Sequence, residues 1–212
     1  MAFQGWPEEA LDFYDGLEAD NSRTYWQAHK EVYETCVLQP MAELLAELEP
    51  VYGETKIYRP YRDLRFSKDK SPYKTAIGAH VGEGYVQLSA VGLAAARGIY
   101  GMAADQLERY REAVAADRTG AALEDVVARL RTHDIDVRGR DSLKRAPRGY
   151  PANHSRVELL RHKGLVAWRE WPVEPWLGTA GARQVISDFL AATEPLSEWL
   201  ARNVGPSDAP GR

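Results

Sequence analysis

The chain has 212 residues, 44% of them hydrophobic and 27% charged, with a formal net charge of −4. That length buries a sizeable core without covalent staples, and the composition is that of an ordinary globular protein. Cys36 is the sole cysteine, which excludes an intrachain disulfide and fits a reducing compartment.

The N-terminus, MAFQGWPEEALDFYDG, is acidic and has neither a basic n-region nor an apolar h-region, so it does not read as a secretory signal. Pro7 and an acidic first turn, Glu8-Glu9, predict a short amphipathic helix over 8–18. Asn21-Ser22 reads as the N-cap of a second helix, Arg23 to about Val37, with Trp26, Lys30 and Tyr33 at helical spacing. Pro40 starts or kinks a third, Met41 to Leu48. Residues 76–101 change to small, β-branched and aromatic types punctuated by Gly, which predicts strands near 76–81, 85–91 and 94–100. Gly82-Glu83-Gly84 is the expected hairpin loop. Helices are predicted over Ala104–Ala116 and Gly120–Arg131, then a short helix near Ser155–His162 and a strand near Leu165–Trp171. The last helix, Ala180–Asn203, carries Pro195 as a break point. Helices at both ends around adjacent strands predict an α+β fold. Its sheet is mostly antiparallel, of about five or six short strands, flanked by N-terminal, central and C-terminal helices. We expect one domain over 1–205 and a frayed Pro/Gly-rich tail over 206–212. No apolar run approaches the ~20 residues that span a bilayer, so no membrane partner is expected and the protein reads as cytoplasmic.

Charge is uneven along the chain. Lys56 to Lys74, KIYRPYRDLRFSKDKSPYK, holds seven Lys or Arg against two Asp, a formal +5, with four aromatic residues and two prolines. Arg138 to Lys163 holds eight Lys or Arg against Asp141 and Glu158, a formal +6. The remainder of the chain therefore carries −15. An acidic body with two basic segments argues against a non-specific nucleic-acid binder, which is usually basic throughout. It fits a local cationic pocket.

Arg59-x-x-Arg62-Asp63-x-Arg65 brings planar paired donors suited to phosphate or carboxylate, with Asp63 placed to orient them. If extended, it faces Arg59, Tyr61, Asp63 and Arg65 one way and Arg62, Leu64 and Phe66 the other. The same residues also read as an internal Arg–Asp lattice that braces a sheet edge. Ser67 to Lys74 reads as a turn fixed by Pro72, with Ser67 or Asp69 capping backbone N–H groups, and it serves either as a phosphate grip or as a solvated turn. No Gly-x-x-x-x-Gly-Lys-Ser/Thr loop and no Gly-x-Ser-x-Gly elbow occurs. The five histidines are scattered and lack neighbouring ligands at metal spacing, so neither a metal site nor a cofactor is predicted. His154 is a candidate acid or base beside an anion. Cys36 reads as a small core residue.

Arg59-x-x-Arg62-Asp63-x-Arg65-Phe66-x-x-Asp69-Lys70-x-x-Tyr73-Lys74 resembles the signature of an uncharacterised bacterial and fungal family, domain of unknown function 2461. Asn21-x-Arg23-x-x-Trp26-x-x-His29-Lys30-x-x-Tyr33 resembles its N-terminal helix motif, and Lys144 to Pro151 followed by Asn153-His154 its C-terminal block. The chain departs where the family tends to show Asp-His-Pro, here Asn153-His154-Ser155; if that Asp partners His154, its loss weakens an acid–base role for the histidine. Only part of the family's glycine cluster remains in Arg97-Gly98-Ile99-Tyr100-Gly101. The resemblance implies that the three motifs converge in space; it implies no particular activity.

The leading expectation is a site for a phosphorylated or carboxylated small molecule. Arg59, Arg62, Arg65 and Lys70 would supply charge, with Lys144, Arg145 and Arg148 opposite, and Tyr73 and Tyr150 would close the walls. If chemistry follows binding, Asp63, Asp69 and His154 are the proton carriers of a hydrolase or transferase. The alternatives are a single-stranded nucleic-acid-binding module, with Tyr58, Tyr61, Phe66 and Tyr73 stacking on bases, and a scaffold whose basic patch docks an acidic protein. The residues do not settle the oligomeric state.

Overall fold

A computed structural model describes residues 2–65 and 69–208. Phe66 and Ser67, expected as a stacking ring and a cap, lie outside the described residues. The architecture is α+β, with a six-stranded antiparallel sheet in the order β1-β2-β3-β4-β6-β5. Its strands are β1 Thr55–Ile57, β2 Ala76–Val81, β3 Gly84–Ser89, β4 Gly92–Ile99, β5 Asp136–Arg138 and β6 Leu165–Trp171. The chain forms two compact units, Met1–Ala95 with Glu170–Phe189 and Ala96–Arg169 with Leu190–Arg212.

In the first unit, α1 (Glu8–Ala19) follows Pro7, and Ser22 caps α2 (Arg23–Ala28) by accepting the Tyr25 N–H at 3.1 Å. The helical path continues through α3 (Lys30–Val32), a π-turn at Tyr33–Leu38 and α4 (Gln39–Tyr52). It therefore runs past Pro40, where a helix start or kink is expected. Proline has no N–H, and in an α-helix its ring meets the carbonyl four residues back. Here that carbonyl is Cys36, inside the π-turn, and the Gln39 N–H bonds Glu34 O in the wider spacing. The π-turn is thus how the helix accommodates Pro40. Cys36 is half-buried there rather than in the core.

α4 packs on β1 and β2 and buries Met41, Leu44, Leu45 and Leu48. The strands answer with a buried set, Ile77, Ala79, Val81, Val86 and Leu88. A period of two sends the intervening residues to the other face, so Tyr85 and Gln87 are half-buried and His80 exposed. β2 and β3 meet in the expected hairpin, with Val81 paired to Gly84 and Gly82 at φ +54° in the turn. The ladder β1–β2 pairs Thr55 with Val81 and Ile57 with Ala79.

In the second unit, α5 (Ala104–Ala115) packs against α6 (Asp117–Arg131), α7 (Val157–Arg161) and α9 (Glu194–Asn203). The expected break in the last helix falls at Thr193, between α8 (Gly181–Ala192) and α9. Residues 206–208, read from sequence as part of a frayed tail, are tied down. Arg109 donates to Pro206 O at 2.6 Å, and Asp105 accepts the Ser207 hydroxyl at 2.8 Å and the Asp208 N–H at 2.9 Å.

Candidate functional site

The first basic segment continues the β1–β2 ladder beyond the regular strands. The Tyr58 N–H bonds Gly78 O at 2.9 Å, Lys74 N–H bonds Pro60 O at 2.8 Å, and Arg62 N–H bonds Pro72 O at 2.9 Å. Between the first two pairings the chain takes four steps from Lys74 to Gly78 against two from Tyr58 to Pro60. The excess of two residues breaks the ladder between Lys74 and Gly78. Tyr61 and Tyr73 then form a pair between the Arg62 and Lys74 bonds, the type in which side chains lie closest.

This register sorts the segment by face. Tyr73 turns inward, 4% exposed, and stacks on Trp26 with ring centroids 4.3 Å apart and planes 6° apart. Tyr61 joins them, 5.6 Å from Tyr73 and 6.2 Å from Trp26. Tyr73 is therefore a core residue and not the pocket wall expected of it, because the alternation that turns Lys74 to the opposite face buries its neighbour. Asn21, read as a helix cap, instead binds Tyr73 through both ends of its carboxamide, accepting its N–H and donating to its carbonyl. The N-terminal helix motif and the first basic motif thus meet through Asn21, Trp26 and Tyr73.

The opposite face holds a cleft of about 400 Å³. Tyr58, Arg62, Lys74 and Thr75 line one part, and Ala76, Gly78, Tyr85 and Gln87 the other. Of these, Arg62 is expected from sequence as an anion contact and Tyr58 as a stacking ring of the nucleic-acid alternative; the others are brought to the cleft by the strand register. Lys74 Nζ sits 5.3 Å from the centroid of the Tyr58 ring. Burial, and then the Arg59 charge, lower its pKa below the ordinary lysine value. Among the described residues no carboxylate pairs with it. Burial also raises the Tyr58 phenol. The Tyr85 hydroxyl donates to Gln87 Oε1 at 2.9 Å.

The carboxylates of the segment are committed within it. Asp63 accepts the Arg65 guanidinium in a fork, Nη2 to Oδ2 at 2.6 Å and Nε to Oδ1 at 3.0 Å. These bonds hold its carboxyl down at about 2. Asp69 accepts the Ser71 hydroxyl at 2.6 Å and its N–H at 2.9 Å, and pairs with Arg62. The Ser71 bonds, followed by Arg62, hold it well below the usual carboxylate range. Lys70 Nζ donates to Leu64 O at 3.1 Å. Both expected proton carriers, Asp63 and Asp69, are thus engaged in bracing the loop. Arg65 and Lys70 are likewise spent on the loop, and Arg59 is exposed with Asp63 as its near opposite charge. The Arg–Asp pairs and the cationic lining of the cleft are both present, and Arg62 belongs to both.

The second basic segment belongs to the second unit. Four of its cations are engaged: Arg156 Nε with Glu124 at 2.7 Å, Arg161 with Glu158 at 2.6 Å, Arg138 over the Trp168 ring and Arg140 over Tyr100. Lys144, Arg145 and Arg148 are exposed. Tyr150 is half-buried, its N–H bonded to Pro147 O, and burial raises its phenol. His154 Nδ1 accepts the Arg156 N–H at 3.0 Å, so this histidine braces the entry to α7 and would work as an acid or base only through Nε2. His162 Nδ1 meets the Ser142 hydroxyl at 2.8 Å.

Among the described residues no cluster of three or more His, Cys, Asp or Glu is built to hold a metal ion, and no helix is long and apolar enough to cross a membrane. No curated protein and no solved structure gives a significant match to the chain. The model of the family described as conserved hypothetical protein (DUF2461) matches residues 9–199, and the chain belongs to that family.

Proposed function

We propose that the protein binds a small phosphorylated or carboxylated molecule in the cleft of the first unit, with Lys74 and Arg62 as its cationic contacts. The observation that carries the reading is the state of Lys74. Its ammonium is half-buried, lies beside another cation and has no carboxylate partner among the described residues. Burial disfavours the charged form of a lysine, and an arriving anion restores what the lost water supplied. Arg62 adds a guanidinium whose second edge can take a bidentate oxygen pair. The function supported is binding. The carboxylates near the cleft are already engaged by Arg65, Ser71 and Arg62, which favours a bracing role for them over proton transfer. The single cysteine supports a reducing, cytoplasmic setting.

The test is a thermal-shift panel of inorganic phosphate, phosphorylated metabolites and dicarboxylates on the wild type, Lys74→Met and Arg62→Ala. A ligand at about 100 times its dissociation constant adds roughly 2.7 kcal/mol of stability. The expected result is a shift in the wild type that Lys74→Met abolishes. Equal shifts in wild type and both variants would remove the cleft from the account. A response only to oligonucleotides, with a log–log salt slope of roughly −0.7 per phosphate, would favour a single-stranded nucleic-acid module.

A further inference from the structure

We propose that the anion is the head of a nucleotide-class ligand whose planar base lies on the tyrosine floor of the same cleft. This rests on the anion-binding reading above and adds the identity of the ligand's other end. The cleft has two unlike ends. Arg62 and Lys74 form one. Tyr58, Gly78, Tyr85 and Gln87 form the other.

The second end is built as a platform. A Cβ at Gly78 would lie 2.3 Å from the Tyr85 hydroxyl oxygen and 2.9 Å from the ring carbon that bears it. The absence of a side chain at Gly78 is what lets the Tyr85 ring lie down across β2. The hydrogen bond to Gln87 holds it there. Tyr58 stands beside it, ring centroids 6.2 Å apart, and carries Lys74 over its own ring. The floor is therefore aromatic and leads directly to the ammonium, and aromatic faces hold bases by stacking. A bare phosphate or dicarboxylate makes no use of it.

Gln87 narrows the class. Its Oε1 is committed to Tyr85, and among the described residues its amide nitrogen has no partner. It offers only donors to the cleft. A ring edge that meets it must present acceptors, as the carbonyls of a pyrimidine or of guanine do. A volume of about 400 Å³ is in the range of small-molecule sites and suits one nucleotide, not a strand.

Calorimetric titration at one salt concentration tests this with inorganic phosphate, a pentose phosphate, uridine monophosphate and a tetrauridylate. The wild type is expected to bind uridine monophosphate about tenfold or more tighter than the pentose phosphate, the margin that stacking supplies. Tyr85→Leu removes that margin and leaves the pentose phosphate unchanged. Tyr85→Phe keeps the ring but frees Gln87 Oε1, so it is expected to keep a margin between that of the wild type and that of Tyr85→Leu, which keeps the test readable if Tyr85→Leu does not fold. Lys74→Met weakens every probe. Equal affinity for the pentose phosphate and the nucleotide, indifferent to Tyr85→Leu, overturns this inference and leaves the anion reading standing. No affinity for any of these probes overturns this inference, and if the dicarboxylates of the thermal-shift panel are silent as well the anion reading falls with it. A tetrauridylate bound about tenfold or more tighter than the monomer makes the ligand a strand and overturns it as well.

Discussion

Asn21 holds Tyr73 by both ends of its carboxamide: Oδ1 accepts the Tyr73 N–H at 3.0 Å, and Nδ2 donates to the Tyr73 carbonyl at 3.1 Å. The two residues are 52 positions apart. The clamp ties the start of α2 to the strand whose next residue is Lys74. It substitutes a side chain for the neighbouring strand that would otherwise satisfy Tyr73. Asn21→Ala leaves both backbone groups of a buried residue without a partner, at about 1–3 kcal/mol. The expected result is a lower urea midpoint with an unchanged m-value, together with weaker anion binding. A midpoint shift with binding intact would separate the clamp from the cleft.

Gly78→Ala tests the floor independently of charge. The obstructing atoms belong to the outer end of the Tyr85 side chain, which can swing away at small cost to the fold. The variant should therefore keep its melting temperature within a few degrees, about 1 kcal/mol or less of stability. It should also lose ring-containing ligands while retaining inorganic phosphate. Gly92→Ala gives the contrast. There φ is +127° and a Cβ would sit 2.2 Å from the Trp171 carbonyl oxygen, so both strain and a rigid clash oppose it. A Gly78→Ala protein as damaged as Gly92→Ala would contradict the account of Tyr85.

Local signals of this chain were legible, and pairings were not. Leu165–Trp171 reads as a strand because a compact apolar run is bounded by Gly164 and Pro172. The 82–84 hairpin and the break near Pro195 are marked by residues with one favoured use. β1 and β5 are three residues each, too short to show a period. The π-turn has no composition signature beyond the proline it accommodates. Arg62 is visible as part of a basic motif, but Lys74 became a site residue only through its pairing with Pro60. Tyr85 and Gln87 entered the cleft only through the β2–β3 register. Tyr73 was misplaced for the same reason, since aromatic type alone does not tell a wall from a core. The Asp63–Arg65 fork and the Asp69–Ser71 turn, by contrast, are local, each joining residues two apart.

Alkaline stability is set by buried phenols. Burial pushes the Tyr33 hydroxyl up to about 12, and Tyr14 and Tyr110 lie well above the ordinary tyrosine value for the same reason. In the unfolded chain these phenols ionise near pH 10, while in the fold they stay protonated. A raised folded pKa means full stability below about pH 10 and a loss above it, up to ~1.4 kcal/mol per pH unit for each such tyrosine. Urea midpoints should be flat from about pH 8 to 10 and then fall, and Tyr14→Phe should fall less steeply. A midpoint that holds through pH 11 would show that these rings are not sealed from water.

Lys74 gives the cleft its own pH dependence, with a different sign of argument. The ammonium form binds an anion, and bound anion raises the Lys74 pKa. Affinity is therefore greatest below the free-state pKa, which lies below the ordinary lysine value, and declines as pH rises through it. Above about pH 8 a phosphomonoester is already dianionic, its second pKa being near 6, so any decline there belongs to the protein. Lys74→Arg supplies a charge that does not titrate in this range. The variant should bind a phosphorylated probe with nearly constant affinity across the window in which the wild type weakens. Parallel curves for the two proteins would move the titrating contact away from Lys74 and leave Arg62, already shared with Asp69, as the only cation of the proposed head site.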